Sequence, residues 1–114
     1  MSFQVESVNE QTVVVHVGDR LDFRNAGELK SICQRQAQSG SRYFIFDFEN
    51  TSVLDSSGLG AIFSLYRKLN SVDGQLALAN PSEPVQTVVR LTRTDRIFDQ
   101  FGSVGEARNA LSAA

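Results

Sequence analysis

The sequence predicts an α/β domain built on a small mixed sheet, and three observations support this fold class. The chain opens with two β-type runs, Phe3–Ser7 and Thr12–Val17, separated by a polar turn, which is typical of an antiparallel hairpin. Helical and strand patterns then alternate, with connections long enough for right-handed parallel crossovers. A length of 114 residues supplies one modest hydrophobic core. We therefore expect a single domain over residues 1–114, with parallel strands after the hairpin and about four helices.

The first helix is predicted to run from about Asn25 to Ser39. Asn25 stands in a capping position with Glu28 three residues further on, and Gly40 follows as a stop signal. The spacing between these limits is that of an amphipathic helix. The residues on its apolar face are Ala26, Leu29, Ile32, Cys33 and Ala37.

The middle of the chain combines a buried strand with a second helix. Tyr43–Phe48 is apolar at nearly every position, as expected of a central strand covered on both faces. An apolar helical pattern then continues until Ser71–Gly74 interrupts it. The residues of that pattern, predicted to face the sheet, are Leu59, Ile62, Phe63, Tyr66 and Leu69. The positions predicted to point outward near the start of the helix are Ser57, Gly60, Ala61 and Ser64.

The last third of the chain repeats the alternation. Gln75–Ala79 has the pattern of a short strand, and a third helix is expected behind Ser82 and Pro84. The apolar pair Ile97–Phe98 predicts a last edge strand. Ser103–Glu106 forms a capping box, which predicts the start of a fourth helix.

Composition and charge exclude several classes of function. The formal net charge is −2, with 11 basic and 13 acidic residues, so neither nucleic acid nor a membrane surface is an expected partner. No apolar run approaches the roughly 20 residues of a membrane span, and the first residues lack a secretory signal pattern, so we expect a cytoplasmic protein. Cys33 is the single cysteine and His16 the single histidine, which excludes an internal disulfide and predicts no metal site.

The stretch 54–63, LDSSGLGAIF, lies where a strand gives way to the second helix and is the most informative part of the sequence. It places two hydroxyls, on Ser56 and Ser57, beside two small residues, Gly58 and Gly60. A serine there has four possible roles: a helix cap, a nucleophile, a ligand for a phosphate group, or an acceptor of one.

Two loops should bring acidic side chains to this stretch. Residues 18–24 and 49–56 follow neighbouring strands of the predicted sheet. In an α/β sheet the functional edge lies at the carboxyl ends of the strands, so we expect these two loops to meet there. Their meeting would place Asp19, Asp22 and Asp55 close to the two serines.

Enzymatic roles for the motif are disfavoured. A nucleotide-binding phosphate loop needs a lysine after its last glycine, where this chain has Ala61. A hydrolase elbow needs a glycine two residues before the nucleophile, whereas Ser56 has Leu54 there. The candidate base, His16, lies within a valine-rich strand, where a structural role is favoured. We therefore predict no catalytic activity and no cofactor.

Capping explains one serine, because a hydroxyl is a preferred acceptor at a helix start. It does not explain Gly58 and Gly60, each of which costs about 0.5–1 kcal/mol of helix propensity relative to alanine. Small residues around a hydroxyl allow another protein's active site to approach, and a helix N-terminus can hold an attached phosphate. A phosphate beside Asp22 and Asp55 would change the charge of this face. The motif therefore predicts a phosphorylation site.

These residues resemble a known family. Asp55–Gly60, DSSGLG, is similar to the phosphoacceptor motif of STAS domains, specifically of bacterial anti-sigma factor antagonists, and Leu21–Asp22 matches their first loop. The similarity runs over essentially the whole chain, and it implies a small mixed sheet with helices on one side. It also implies that Ser56 is the phosphoacceptor. The residues that it implies for partner binding are Asp22, Asp55, Ser57, Gly58, Gly60 and Ala61.

The resemblance further implies partner switching. The unmodified antagonist binds an anti-sigma factor, which is also an ATP-dependent serine kinase, and so frees a sigma factor. Phosphorylation ends that binding, and a PP2C-type phosphatase restores it. A monomer or weak dimer is expected, and the kinase supplies the ATP.

Other functions are compatible with the same fold. A STAS subunit of a transporter, such as a lipid-transport complex, would use the helix face without phosphate, and a stressosome-type scaffold would build large assemblies. A small serine hydrolase is the remaining alternative. The chain also departs from many relatives at two places. Asp19–Arg20 stands in the first loop where many have glycine or a small residue ahead of an acidic one, and Thr92–Asp95 stands before the last strand where many carry a glycine-leucine pair. Both places are expected near the partner face.

Overall fold

The fold is a mixed α/β arrangement, described here from a computed structural model that covers residues 3–112. Residues 3–112 form seven strands and four α-helices. The strands are β1 (Gln4–Ser7), β2 (Thr12–His16), β3 (Arg20–Leu21), β4 (Tyr43–Asp47), β5 (Val53–Leu54), β6 (Gln75–Ala79) and β7 (Asp99–Phe101). The helices are α1 (Ala26–Gln38), α2 (Ser56–Asn70), α3 (Glu83–Thr92) and α4 (Val104–Ser112).

Five strands form the main sheet, in the order β1-β2-β4-β6-β7. The β1–β2 pair is antiparallel, and each later pair is parallel, so the predicted hairpin and crossovers are confirmed. β4 occupies the centre, and its residues Phe44, Ile45 and Phe46 are completely buried. A strand covered on both faces must be apolar at successive positions, which is why Tyr43–Phe48 gave so clear a signal.

The two faces of the sheet carry cores of different size. Alternate strand residues such as Val13 and Phe44 pack with α1, α2 and α3 in the larger core. Their neighbours Val14 and Ile45 point to the opposite face, where they pack with Ala107 of α4. Helices on one side of the sheet were implied by the family resemblance. Three helices do lie there, and α4 covers the other face.

A second, two-stranded sheet was not predicted. β3 and β5 pair in parallel, with Arg20 opposite Val53 and Leu21 opposite Leu54. Each strand has two residues, which is too short for an alternating pattern to be visible in the sequence. This short pairing matters because it joins the two loops that flank the serine motif.

The predicted last edge strand is present, but Ile97–Phe98 does not form it. The last strand is β7, Asp99–Phe101, and Phe98 instead packs into the larger core, with its ring centroid 4.9 Å from that of Phe63 and 5.5 Å from that of Tyr66. β7 pairs with β6 through backbone groups, so its polar residues gave no apolar signal.

The helix starts were predicted with mixed success. Ser103 and Ser82 cap α4 and α3 as expected, since their hydroxyls accept hydrogen bonds from the amides of Glu106 and Val85. Asn25 occupies the N-cap position of α1, but its side chain makes no capping hydrogen bond. It accepts instead from the amide of Asp22 and binds the preceding loop. Across residues 3–112, no helix combines the length and the apolarity that a membrane span requires.

Candidate functional site

The two loops predicted to meet at the carboxyl edge do so. Thr51, which is 1% exposed, donates a hydrogen bond from Oγ1 to the carbonyl of Gly18 over 2.6 Å. The amide of Ser52 donates to the carbonyl of Asp19 over 2.7 Å, and its hydroxyl lies 3.0 Å from Asp19 Oδ1. Together with the β3–β5 pairing, these contacts hold the loops side by side.

Asp55 connects the start of α2 to the first loop. Its Oδ1 accepts a hydrogen bond from the amide of Gly58 over 3.0 Å, which makes Asp55 the N-cap of the helix. Its Oδ2 accepts from the amide of Phe23, also over 3.0 Å. The prediction that a serine caps this helix is therefore wrong, because the helix begins at Ser56, directly after the aspartate.

Ser56 and Ser57 are the first two residues of α2, and both side chains are exposed. Within residues 3–112, neither hydroxyl takes part in a hydrogen bond. Because the helix dipole is positive at this end, the position favours an attached anion. A hydroxyl with no structural contact, at the positive end of a helix, is accessible for modification.

The two glycines of the motif have different surroundings. A Cβ added to Gly58 would lie 2.7 Å from Leu21 Cγ and 2.8 Å from the Leu21 carbonyl oxygen, so this glycine allows α2 to approach β3 closely. A Cβ added to Gly60 would meet nothing within 4 Å. The size of Gly58 is therefore explained by packing, whereas the role of Gly60 in clearing the approach to the serine stays a prediction.

Ala61 does not point outward as predicted. It is 7% exposed and faces α1, where it lines a narrow gap with Lys30 and Cys33. Ser64 lines the same gap and is half-buried. The prediction failed because α2 packs against both the sheet and α1, which buries a wider arc of the helix than one apolar stripe indicates.

Asp22 was expected to contribute exposed negative charge, and it does not. It is 3% exposed, and its Oδ2 lies 3.0 Å from Arg20 Nη1 and 2.9 Å from Arg24 Nη2. Its Oδ1 also accepts a hydrogen bond from the backbone amide of Arg24. Two cations therefore compensate this carboxylate, whose contacts fix the shape of the first loop.

Phe23 was missed by the sequence analysis. Its side chain is 73% exposed, although its backbone amide is held by Asp55. The guanidinium carbon of Arg24 lies 5.7 Å from the centre of its ring. The sequence did contain an indication of this exposure. An aromatic residue between Asp22 and Arg24 belongs to no periodic apolar pattern, so no helix or strand is expected to bury it.

His16 makes its side-chain hydrogen bonds with two carboxylates and not with either serine. Its ring nitrogens lie 2.8 Å from Asp47 Oδ2 and 3.1 Å from Glu6 Oε1. Partial burial lowers the pKa of His16, but hydrogen bonds to Glu6 and Asp47 outweigh this effect, so the pKa is raised above 6.5. Its structural role is confirmed. Burial raises the pKa of Cys33 to about 12, so that thiol is unreactive.

A larger groove lies away from the motif, between α3 and β7. It has a volume of about 700 Å³, and Asn80, Arg90 and Asp95 are among the residues that line it. Neither Asp55 nor the two serines contribute to its walls. Among residues 3–112, no group of three or more histidine, cysteine or acidic side chains is arranged to hold a metal ion.

Comparison with known proteins identifies the family of this fold. Residues 4–107 match the family model of the STAS domain. The chain belongs to the STAS domain family. An anti-sigma F factor antagonist from Lysinibacillus sphaericus is 30% identical over 93 residues, which cover 81% of this chain and 80% of that protein.

Two solved structures of STAS proteins are similar to this one over nearly the whole chain. The anti-sigma factor antagonist SpoIIAA in its unphosphorylated form is 28% identical, with a TM-score of 0.87, and the match covers 98% of this chain and 97% of that one. The Bacillus cell fate determinant SpoIIAA in the phosphorylated form is also 28% identical, with a TM-score of 0.77 and coverage of 95% and 97%. The STAS fold is thus confirmed. These relatives are regulators rather than enzymes, which supports the prediction of no catalytic activity.

Proposed function

We propose that this protein is an anti-sigma factor antagonist controlled by phosphorylation of Ser56. In the unphosphorylated state it binds an anti-sigma factor in the cytoplasm and so releases a sigma factor. The anti-sigma factor is also the serine kinase that modifies Ser56, and a PP2C-type phosphatase reverses the modification. The observation that carries the proposal is the exposed Ser56 hydroxyl at the first position of α2, where Asp55 has taken over the capping role.

The comparisons support the proposal at the level of the class. The relative from Lysinibacillus sphaericus is named for antagonism of an anti-sigma factor, and SpoIIAA has been determined in unphosphorylated and phosphorylated forms. This chain has a serine, Ser56, directly after Asp55 in its own motif. The simplest function for this site is therefore to bind a protein partner and to accept a phosphate on the Ser56 hydroxyl.

The proposed docking face has an exposed part and a supporting part. Ser56, Ser57 and Gly60 are exposed and would contact the anti-sigma factor directly. Gly58 is buried beneath them and sets the distance between α2 and β3, as Ala61 does between α2 and α1. The surface thus has little side-chain bulk around the Ser56 hydroxyl, so a kinase active site can reach it.

The switch would act through charge and bulk. A phosphoserine carries about −1.5 to −2 charges at neutral pH, and the helix N-terminus stabilises such an anion. Both oxygens of Asp55 already accept hydrogen bonds from backbone amides, so the new phosphate would stand beside an acidic side chain that is fixed in place. The resulting concentration of negative charge opposes docking of a partner that had bound the neutral hydroxyl.

The test uses the anti-sigma factor kinases of the source organism, each purified and titrated with four forms of this protein. Wild type and Ser56→Ala are expected to bind one of them, whereas Ser56→Asp and the phosphoprotein bind weakly. Phosphopeptide mapping should place a single phosphate on Ser56.

Ser57→Ala is the matched control for the position of the phosphate: it removes the neighbouring exposed hydroxyl, and phosphopeptide mapping of this variant should still place the phosphate on Ser56. Equal affinities for all forms, or phosphate found only on Ser57 or Ser64, would overturn the mechanism. A transporter subunit would then be the better interpretation of the fold.

A further inference from the structure

We infer that Phe23 is the apolar anchor by which the docking face engages the anti-sigma factor, an inference that rests on the function proposed above. Its ring is 73% exposed, and it lies in the loop that Asp55 ties to the start of α2. Large aromatic side chains are enriched among the residues that form and dominate protein interfaces.

The exposure of Phe23 follows from how its loop is built. The residue two positions before it, Leu21, is completely buried, and Ala26, three positions after it, is 9% exposed. Between these two anchors the buried carboxylate of Asp22 binds both neighbouring arginines, so the chain turns with Phe23 at its outer side. The ring is therefore held out of the core by the geometry of the loop.

The loop is also fixed before any partner binds. The Phe23 amide donates to Asp55 Oδ2 over 3.0 Å, and Asn25 Oδ1 accepts from the amide of Asp22 over 3.0 Å. A backbone held in this way loses little further conformational entropy on binding. More of the free energy gained by the contact of the ring with a partner therefore remains as binding affinity. Pre-organisation distinguishes this residue from an aromatic residue on a flexible tail.

The position of Phe23 specifies which partner it serves. The same Asp55 side chain binds the Phe23 amide and caps the helix whose first residue is Ser56, so the ring and the phosphoacceptor belong to one rigid surface. The anti-sigma factor should accordingly present an apolar pocket close to its own serine-binding site.

The chemistry of that pocket follows from what surrounds the ring. The Arg24 guanidinium carbon lies 5.7 Å from the ring centre, and the charge of Arg24 is paired with Asp22. The partner therefore meets an aromatic edge and face beside a compensated ion pair. Leucine, isoleucine or aromatic side chains are suited to line such a pocket.

The experiment titrates the source organism's purified anti-sigma factor kinases with wild type, Phe23→Ala and Leu91→Ala. Leu91 is the matched control, because it is 74% exposed but lies in the last turn of α3, which runs back towards the amino ends of the strands. Phe23→Ala should weaken binding by about 30-fold or more, as expected for a dominant interface residue. Leu91→Ala should change the affinity by less than about twofold.

A second variant and a second readout separate the possible outcomes. Phe23→Leu should recover part of the lost affinity, and all three variants should unfold at the wild-type denaturant concentration because these side chains are exposed. If wild type binds and Phe23→Ala binds equally well, the anchor is refuted while the proposed function stands. If wild type binds none of the kinases, both fail. If Phe23→Ala abolishes self-association in sedimentation and leaves kinase affinity unchanged, the ring belongs to a homodimer contact instead.

Discussion

Two serines at helix starts show how the fold separates a structural hydroxyl from a signalling one. Ser82 is the N-cap of α3, where its hydroxyl accepts from the amide of Val85 and donates to the carbonyl of Thr51. Ser56 lies one position further into its helix, and Asp55 performs the capping. Modification of Ser82 would break contacts that hold two elements together. Modification of Ser56 would break none, and this difference is what a reversible switch requires.

The largest expected effect tests whether the first turn of α2 is as tightly packed as the comparison assumes. Gly58→Ala places a Cβ 2.8 Å from the Leu21 carbonyl oxygen, which cannot move without shifting β3. We expect a loss of about 1–3 kcal/mol in the free energy of unfolding, measured by urea titration. Gly60→Ala is the control, and it should gain up to about 1 kcal/mol because its Cβ meets open space. Similar losses in both variants would show that close packing is not specific to Gly58.

The second prediction tests whether Asp55, and not Ser56, caps α2. Asp55→Ala removes the cap of α2 and leaves the Phe23 amide without its acceptor, so it should cost about 1–2 kcal/mol of unfolding free energy. Asp55→Asn retains one acceptor oxygen and should cost less. Unfolding titrations of the two variants check both values. If Asp55→Ala were as stable as wild type, another group would have to be the cap.

The third prediction compares the serines directly. Ser82→Ala should lose about 1 kcal/mol of unfolding free energy, since a cap and a contact with Thr51 disappear. Ser56→Ala should stay within about 0.5 kcal/mol of wild type, as is usual for exposed positions. Parallel denaturant titrations provide the measurement. A larger loss for Ser56→Ala than for Ser82→Ala would reverse the assignment of roles.

The smallest expected effect concerns His16. This residue makes hydrogen bonds with neither serine and serves as a control for changes in stability that are unrelated to them. Because the folded-state pKa of His16 is raised above 6.5, protonation stabilises the fold. That contribution is fully present below pH 6.5 and is lost as the pH rises through the raised folded-state value. Unfolding titrations across this range should show a small decrease for wild type and none for His16→Gln. Phosphate uptake on Ser56 should be the same for the two proteins at each pH.

The sequence predicted the parts of the fold that depend on periodic burial. The hairpin, the central strand and the four helices each carry several apolar residues at regular spacing, so tertiary contacts and local pattern agree. β3 and β5 have two residues each, and no pattern can be seen over that length. Ile97–Phe98 does not form the last strand because Phe98 packs into the core, and two apolar residues are too few to distinguish a strand from a core contact.

Some features of the candidate site could likewise be predicted from the sequence, and others depended on tertiary contacts. The meeting of the two loops followed from sheet topology and was confirmed, and the acceptor role of Ser56 remains a prediction. The burial of Asp22 was invisible, because it depends on how two nearby arginines fold around the carboxylate. The packing role of Gly58 was invisible for a similar reason, since Leu21 is distant in sequence and becomes its neighbour through folding.

The shared carboxylate of Asp55 has a consequence for the motions of the molecule. This one side chain accepts hydrogen bonds from the amides of Phe23 and Gly58, which belong to separate elements of the chain. Rotation of that side chain exposes both amides to water at once, so their protection against deuterium exchange should rise and fall together. A phosphate placed beside Asp55 would change the exchange rates of both amides together. Exchange at the Phe23 amide would then indicate whether Ser56, in another segment of the chain, is phosphorylated.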